Sequence, residues 1–184
     1  MNRHLTAFAA CLLAAALVVA PALSSQTPSG KDVVAPAAYA SHDPVARGMS
    51  LQVAVVMKIR PGFHVNARQV TEDYLIRTDL HAEVPAGFKL GEIAYPKGTL
   101  QTFSFSKNKP LNVYTDSVTL YVPVTALSDA PAGAQHFPMK LRYQACSAEI
   151  CLPPVTLNLD VPLNVAATPA AARPAHSEVF SQRK

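Results

Sequence analysis

The sequence predicts an all-β sandwich, and three observations point to it. Apolar and polar residues alternate with a period of two in several segments, turn-forming residues separate these segments, and no segment has the period of an amphipathic helix. Such alternation is typical of strands that bury one face. We place the folded unit at residues 44–165, which is long enough for one domain with a hydrophobic core.

Three segments alternate most clearly, at residues 51–59, 118–125 and 155–162. Weaker strand candidates lie at residues 74–84, 88–95, 100–105 and 137–144. About seven short strands in a domain of this length are typical of an immunoglobulin-like sandwich, and we expect about seven to nine. Because proline cannot donate a backbone hydrogen bond, we expect Pro123 and Pro162 at sheet edges or bulges.

The two ends of the chain have a different composition from the folded unit. Arg3 and His4 precede an apolar run at residues 5–20, which is shorter than the ~20 residues that span a bilayer. Small residues follow, so we predict a signal peptide at residues 1–24, export to the periplasm and no stable membrane insertion after cleavage. Residues 25–43 and 166–184 are rich in Ala, Pro and Ser, and we expect a flexible linker and a disordered tail.

The charge pattern argues against nucleic-acid binding. The formal net charge is +4, and the basic residues are scattered without interleaved aromatic residues. We interpret them as a solvated surface, and we expect a monomer that needs no cofactor.

The cysteines are the residues that most directly indicate a chemical function. Cys11 lies in the predicted signal peptide, which leaves Cys146 and Cys151 with four residues between them. This spacing fits a hairpin loop whose two ends a disulfide can join. A loop this short gains only about 2 kcal/mol from a structural bridge. The spacing leaves a redox pair and a structural bridge equally open, and it fits a metal site less well because no second ligand pair is nearby.

The segment around the cysteines resembles a known active site. Residues 141–154 contain Tyr-Gln-Ala-Cys, a short loop and Cys-Leu-Pro-Pro, and they resemble the active-site segment of the N-terminal periplasmic domain of the thiol:disulfide interchange protein DsbD. Segments 61–66 and 113–120 resemble that family in the same order. The resemblance extends over roughly residues 48–163.

The resemblance implies an immunoglobulin-like domain that takes electrons from a thioredoxin-like protein. It implies that the electrons pass to periplasmic disulfide isomerases and cytochrome c maturation factors. Cys151 matches the cysteine that forms mixed disulfides, and Cys146 matches the resolving cysteine. Residues 103–111 match a cap loop over the pair, in which Phe103 or Phe105 supplies the shielding ring.

The sequence departs from the family pattern in several places. The loop between the cysteines is one residue shorter than in well-known members, the cap lacks acidic residues, and His64 and Asn66 stand where tyrosines are expected. We expect Glu149 to raise the pKa of the thiols and His64 or Lys107, if close, to lower it. No transporter or thioredoxin-like segment is present, so we expect a separate protein to donate the electrons. The alternative is a secreted interaction module with a structural disulfide.

Overall fold

The computed structural model describes residues 28–181, and β-strands are its main regular secondary structure. The predicted signal peptide and Cys11 lie outside the described residues. The strands are β1 Val34–Ala40, β2 Val45–Ala46, β3 Ser50–Ile59, β4 His64–Asn66, β5 Asp79–Ala82, β6 Phe88–Leu90, β7 Thr99–Gln101, β8 Leu111–Tyr114, β9 Ser117–Ala126, β10 Gly133–Tyr143, β11 Ala145–Cys146 and β12 Val155–Ala166. A short helix, α1, spans Ser177–Phe180.

Two four-stranded sheets form the sandwich. Their strand orders are β1-β3-β9-β6 and β2-β12-β10-β5. One continuous core lies between them, with Val55 and Leu120 from the first sheet packed with Leu141 and Leu163 from the second. All four are essentially inaccessible to solvent. The predicted all-β, immunoglobulin-like sandwich is confirmed. Residues 28–181 contain twelve strands, more than the seven to nine expected, because several of the strands have only two to four residues.

The three segments with the clearest alternation form the long strands β3, β9 and β12. Pro162 lies where β12 has only β10 beside it, as expected for an edge. Pro123 differs from the prediction, because β9 is a central strand. It is tolerated because its partner Gln52 directs its own backbone groups towards Ser41, on the far side of β3. The N–H that Pro123 lacks is therefore not needed for pairing with β3.

A third sheet, with the order β11-β4-β8-β7, carries the cysteine region. Its strands β4 and β11 follow β3 and β10 along the chain. Only Gln144 separates β10, in a large sheet, from β11, in the small one. A second apolar cluster of Leu75, Leu111 and Val113 lies here, with Phe103 and Phe105 packed against it.

The N-terminal segment differs from the predicted flexible linker at residues 25–43. β1 pairs with β3 over seven residue pairs, from Val34–Ile59 to Ala40–Val53. Val33 and Val34 are buried, and the Tyr143 hydroxyl donates a 2.9 Å hydrogen bond to the Gly30 carbonyl. The sequence conceals this strand because most of its residues are alanines. Pro36 is acceptable there because β1 is an edge strand.

The C-terminal segment also differs from expectation, up to residue 181. β12 continues to Ala166, and residues 173–175 pair with residues 41–44 through backbone hydrogen bonds from Asp43 N to Arg173 O and from Ala175 N to Ser41 O. This order comes from backbone pairing, which composition does not reveal. No helix among the described residues is long and apolar enough to cross a membrane.

Gly87 provides a test of the sandwich's tight packing. Its φ is +77°, and a Cβ built there would lie 2.4 Å from the Ala130 Cα. Gly133 has a φ of +90° with no atom within 4 Å of such a Cβ. We expect Gly87→Ala to lower the free energy of unfolding by about 2–4 kcal/mol, because it adds a backbone clash to the left-handed conformation. Gly133→Ala should lower it by only about 1 kcal/mol. Equal losses in urea unfolding would contradict this packing.

Candidate thiol–disulfide site

Cys146 and Cys151 form a disulfide at the end of the small sheet. The two residues oppose each other as an isolated antiparallel bridge, with their Cα atoms 3.9 Å apart. The hairpin loop expected from the spacing is therefore present, although Cys146 belongs to β11 and does not continue β10. Besides its bridge to Cys151, Cys146 pairs with His64 of β4.

The two sulfur-bearing residues differ in exposure. Cys146 is fully buried, whereas Cys151 is partly exposed to solvent. The reason is local: Cys146 sits inside a sheet, and Cys151 follows the loop and precedes Pro153 and Pro154, which are exposed. A thiolate from another protein therefore has a path to Cys151 that it lacks to Cys146.

Ser147 organises the loop between the cysteines. Its Oγ accepts hydrogen bonds from the backbone N–H groups of Glu149 and Ile150, each at 3.2 Å. The Ser147 N–H donates to the Ile150 carbonyl at 2.8 Å, and the Leu152 N–H donates to the Ala145 carbonyl at 2.8 Å. These bonds hold Cys151 opposite Cys146, and Ile150 in the same loop is 58% exposed.

His64 lies against this pair in the interior. Its side chain is on the same face of the sheet as that of Cys146, because directly opposed residues of an antiparallel pair share a face. Burial lowers the pKa of His64 to about 4, so the imidazole is neutral at pH 7. It therefore carries no positive charge with which to lower the pKa of a thiol. A neutral imidazole can still donate or accept a hydrogen bond.

The predicted cap segment covers His64. The Phe103 ring stacks on the imidazole with centroids 3.9 Å apart, and Phe105 stacks behind Phe103 at 5.5 Å. A 3₁₀ turn at Ser104–Ser106 shapes the segment, and the Ser104 Oγ donates a 2.9 Å hydrogen bond to the Ala148 carbonyl in the cysteine loop. The segment that contains Phe103 is thus tied to the loop that contains Cys151.

The charged residues of the site lie in solvent. Glu149 is exposed in the cysteine loop, and Lys107 is exposed in the cap segment. Lys109 pairs with Glu72 at 3.0 Å and anchors the far side of the cap. Among residues 28–181, no three His, Cys, Asp or Glu side chains come together as possible metal ligands.

The comparison with protein families identifies this arrangement. The model described as "Thiol:disulfide interchange protein DsbD, N-terminal" matches residues 31–163, which include both cysteines, the cap segment and β1. The chain belongs to the DsbD N-terminal domain family. The match starts well before residue 44, in agreement with the position of β1 in the fold.

Two solved structures are similar to the chain. The N-terminal periplasmic domain of ScsB from Proteus mirabilis is 12% identical with a TM-score of 0.50; the alignment covers 76% of this chain and 49% of that one. The DsbD N-terminal domain of Neisseria meningitidis, in its reduced form, is 18% identical with a TM-score of 0.47. The alignment covers 80% of this chain and 95% of that one. At such identities the ScsB match supports the fold alone. No curated protein matches the chain in sequence.

Two contributors to this DsbD-family site were not predicted. Ser104 ties the cap to the loop, and Gln144 connects three segments. The Gln144 Oε1 accepts from the Asn66 side chain at 3.4 Å and from the Ile76 N–H at 3.3 Å, and its Nε2 donates to the Leu152 carbonyl at 3.3 Å. The Tyr-Gln-Ala-Cys run contained this signal, because a polar residue just before a buried cysteine needs hydrogen-bond partners.

We expect Gln144→Leu to lower the free energy of unfolding of the disulfide form by about 1–3 kcal/mol, because it leaves the Ile76 N–H and the Leu152 carbonyl without their partner. The matched control is Gln135→Leu, since Gln135 is a half-buried β10 residue whose side chain makes no hydrogen bond within the described structure. Urea unfolding measures both variants. Similar losses for the two would show that the Gln144 network contributes nothing specific.

Proposed function

We propose that this protein is a periplasmic thiol–disulfide exchange domain that relays electrons between a thioredoxin-like donor and periplasmic acceptor proteins. The observation that carries the proposal is the unequal exposure of the two cysteines, with Cys146 buried and Cys151 partly exposed. Membership of the DsbD N-terminal family supports the same chemistry. The predicted signal peptide supports the location.

Electrons enter when a partner thiolate attacks the Sγ of Cys151. A partner–Cys151 disulfide forms, the Cys146–Cys151 bond breaks, and the electron pair stays on Cys146. The partner's second thiolate then displaces Cys151, so that the partner is oxidised and this domain becomes a dithiol. Electrons leave by the reverse sequence: Cys151 attacks an acceptor disulfide, and Cys146 resolves the mixed disulfide.

The surroundings of the pair fit exchange through one sulfur. Ile150, beside Cys151, exposes an apolar side chain that a partner can cover, while the cap contacts the site through Phe103, which stacks on His64, and through Ser104, which bonds to the cysteine loop. We propose that the folded unit after signal cleavage begins near Ser29, whose side chain caps the turn before β1. It acts as a monomer without a cofactor.

The trapping experiment tests which cysteine reacts with partners. Cys146→Ser leaves Cys151 free to attack a disulfide and removes the resolving thiol, so its mixed disulfide with an oxidised thioredoxin-fold protein should persist. Cys151→Ser is the matched control, and it should give on the order of tenfold less adduct because Cys146 is buried. Non-reducing electrophoresis and mass spectrometry of the adduct provide the measurement.

Two outcomes of trapping would count against the proposal. Equal yields of adduct from the two variants would contradict the roles of Cys151 as the attacking cysteine and Cys146 as the resolving cysteine. No adduct from either variant, together with a reduction potential below about −300 mV, would favour the alternative of an interaction module with a structural disulfide.

The cap makes a second prediction about access. Phe103 stacks directly on His64, whereas the Phe105 ring is 6.4 Å from it. We expect Phe103→Ala to speed reduction of the disulfide by dithiothreitol by about threefold to tenfold, because it opens the interior beside the pair. Phe105→Ala should change the rate by less than about twofold. A larger effect of Phe105→Ala would assign the shielding ring to Phe105 instead.

A further inference from the structure

Unpartnered polar atoms concentrate beside the cysteine pair. Three buried side-chain atoms in residues 28–181 have no hydrogen-bond partner, and two of them, His64 Nε2 and Asn66 Oδ1, belong to β4. Buried polar groups without partners are rare, because each costs about 1–3 kcal/mol. Two of them on the short strand that pairs with Cys146 indicate a site whose partner is absent in the disulfide state.

His64 is closely packed in this position. The residue is 3% exposed, its ring stacks on that of Phe103, and its backbone pairs with that of Cys146. His64 also lines an open pocket of about 330 Å³, together with the exposed residues Arg60 and Asp116. Neither of these charged residues makes a hydrogen bond or ion pair with His64 in the described structure, and the buried Nε2 atom has no partner there.

We propose that the Nε2–H group of His64 is the hydrogen-bond donor that receives the Cys146 sulfur when the disulfide is opened. His64 thereby acts as a positioning residue that makes Cys146 a better leaving group. This inference rests on the proposed exchange function and names the residue that controls its buried sulfur.

The change in sulfur chemistry explains why the donor is unpartnered now. A sulfur in a disulfide is a weak acceptor, whereas a thiolate is a charged and much stronger one. When an external thiolate bonds to the Sγ of Cys151, the Cys146–Cys151 bond breaks and its electron pair becomes the negative charge on Cys146. Nε2–H then gains its partner, and the thiolate later takes a proton from water.

The neutral state of His64 fits this role. Because burial lowers the pKa of His64 to about 4, the imidazole is neutral at pH 7. A neutral imidazole keeps one N–H group, which can donate a hydrogen bond. The role requires the tautomer with the proton on Nε2. The charged groups of the pocket and of the cysteine loop, Arg60, Asp116 and Glu149, are exposed to solvent.

The test uses variants that separate the donor from the ring. His64→Phe and His64→Leu keep the site filled but remove Nε2, and His64→Gln retains a side-chain N–H donor. The first readout is the rate at which dithiothreitol reduces the disulfide of the intact protein at pH 7. We expect His64→Phe and His64→Leu to slow it by about tenfold and His64→Gln to recover most of the loss.

The second readout does not depend on any attacking thiol. In a Cys151→Ser background, the ultraviolet absorbance of the thiolate against pH gives the pKa of Cys146. We expect His64→Phe to raise this pKa and His64→Gln to return it towards the value with histidine. A change in stability alone would not produce this pattern of loss and rescue.

The outcomes separate this inference from the proposed function. An unchanged reduction rate and an unchanged Cys146 pKa in folded His64→Phe and His64→Leu would overturn the role of His64, while Cys146→Ser trapping would still stand. Loss of trapping with a persistent His64 effect on the dithiothreitol rate would overturn partner exchange and leave the His64–Cys146 contact supported.

Discussion

The passage of the chain from one sheet to another at Gln144 determines the whole site. β10 ends at Tyr143 in the sandwich, and β11 begins at Ala145 in the small sheet, so a single residue makes the crossing. Had β10 simply continued, Cys146 would have stayed in the ladder with β12. Because the chain crosses, Cys146 meets β4 and His64 instead. The Gln144 side chain fixes the crossing by bonding to Ile76 and Leu152 on either side.

This crossing gives the two cysteines different environments from nearly the same place in the sequence. Cys146 enters a sheet and is buried, whereas Cys151 lies beyond a loop held by Ser147 and remains accessible. A bridge that served only to staple the hairpin would need no such asymmetry, and its entropic gain over so short a loop is small. Exchange with another protein does need it, since one sulfur has to meet the partner while the other is protected from it.

Sequence reasoning predicted those parts of the fold that alternation encodes. β3, β9 and β12 follow from regular apolar spacing, and the cysteine loop follows from its length. It did not predict β1, where alanines pair through their backbone. It also did not predict the backbone pairing of residues 173–175 with residues 41–44, which follow β1 in the chain. The cysteines, His64 and the cap phenylalanines were named from sequence. Their contacts were not, because the pairing of β11 with β4 joins residues far apart in the chain.

The electrostatics of the site point to control by neutral groups. Glu149 and Lys107, the charges nearest in sequence to the cysteines and the cap, are exposed, and water screens charges at such positions strongly. The buried polar side chains of β4, the strand that pairs with Cys146, are an imidazole held neutral by burial and the Asn66 amide. Hydrogen bonds gain strength in a low-dielectric interior, where a buried thiolate is otherwise costly. A neutral donor that has no partner in the disulfide state therefore favours opening of the Cys146–Cys151 bond. A charged donor would favour it too, but its charge would have to be buried while the disulfide is intact.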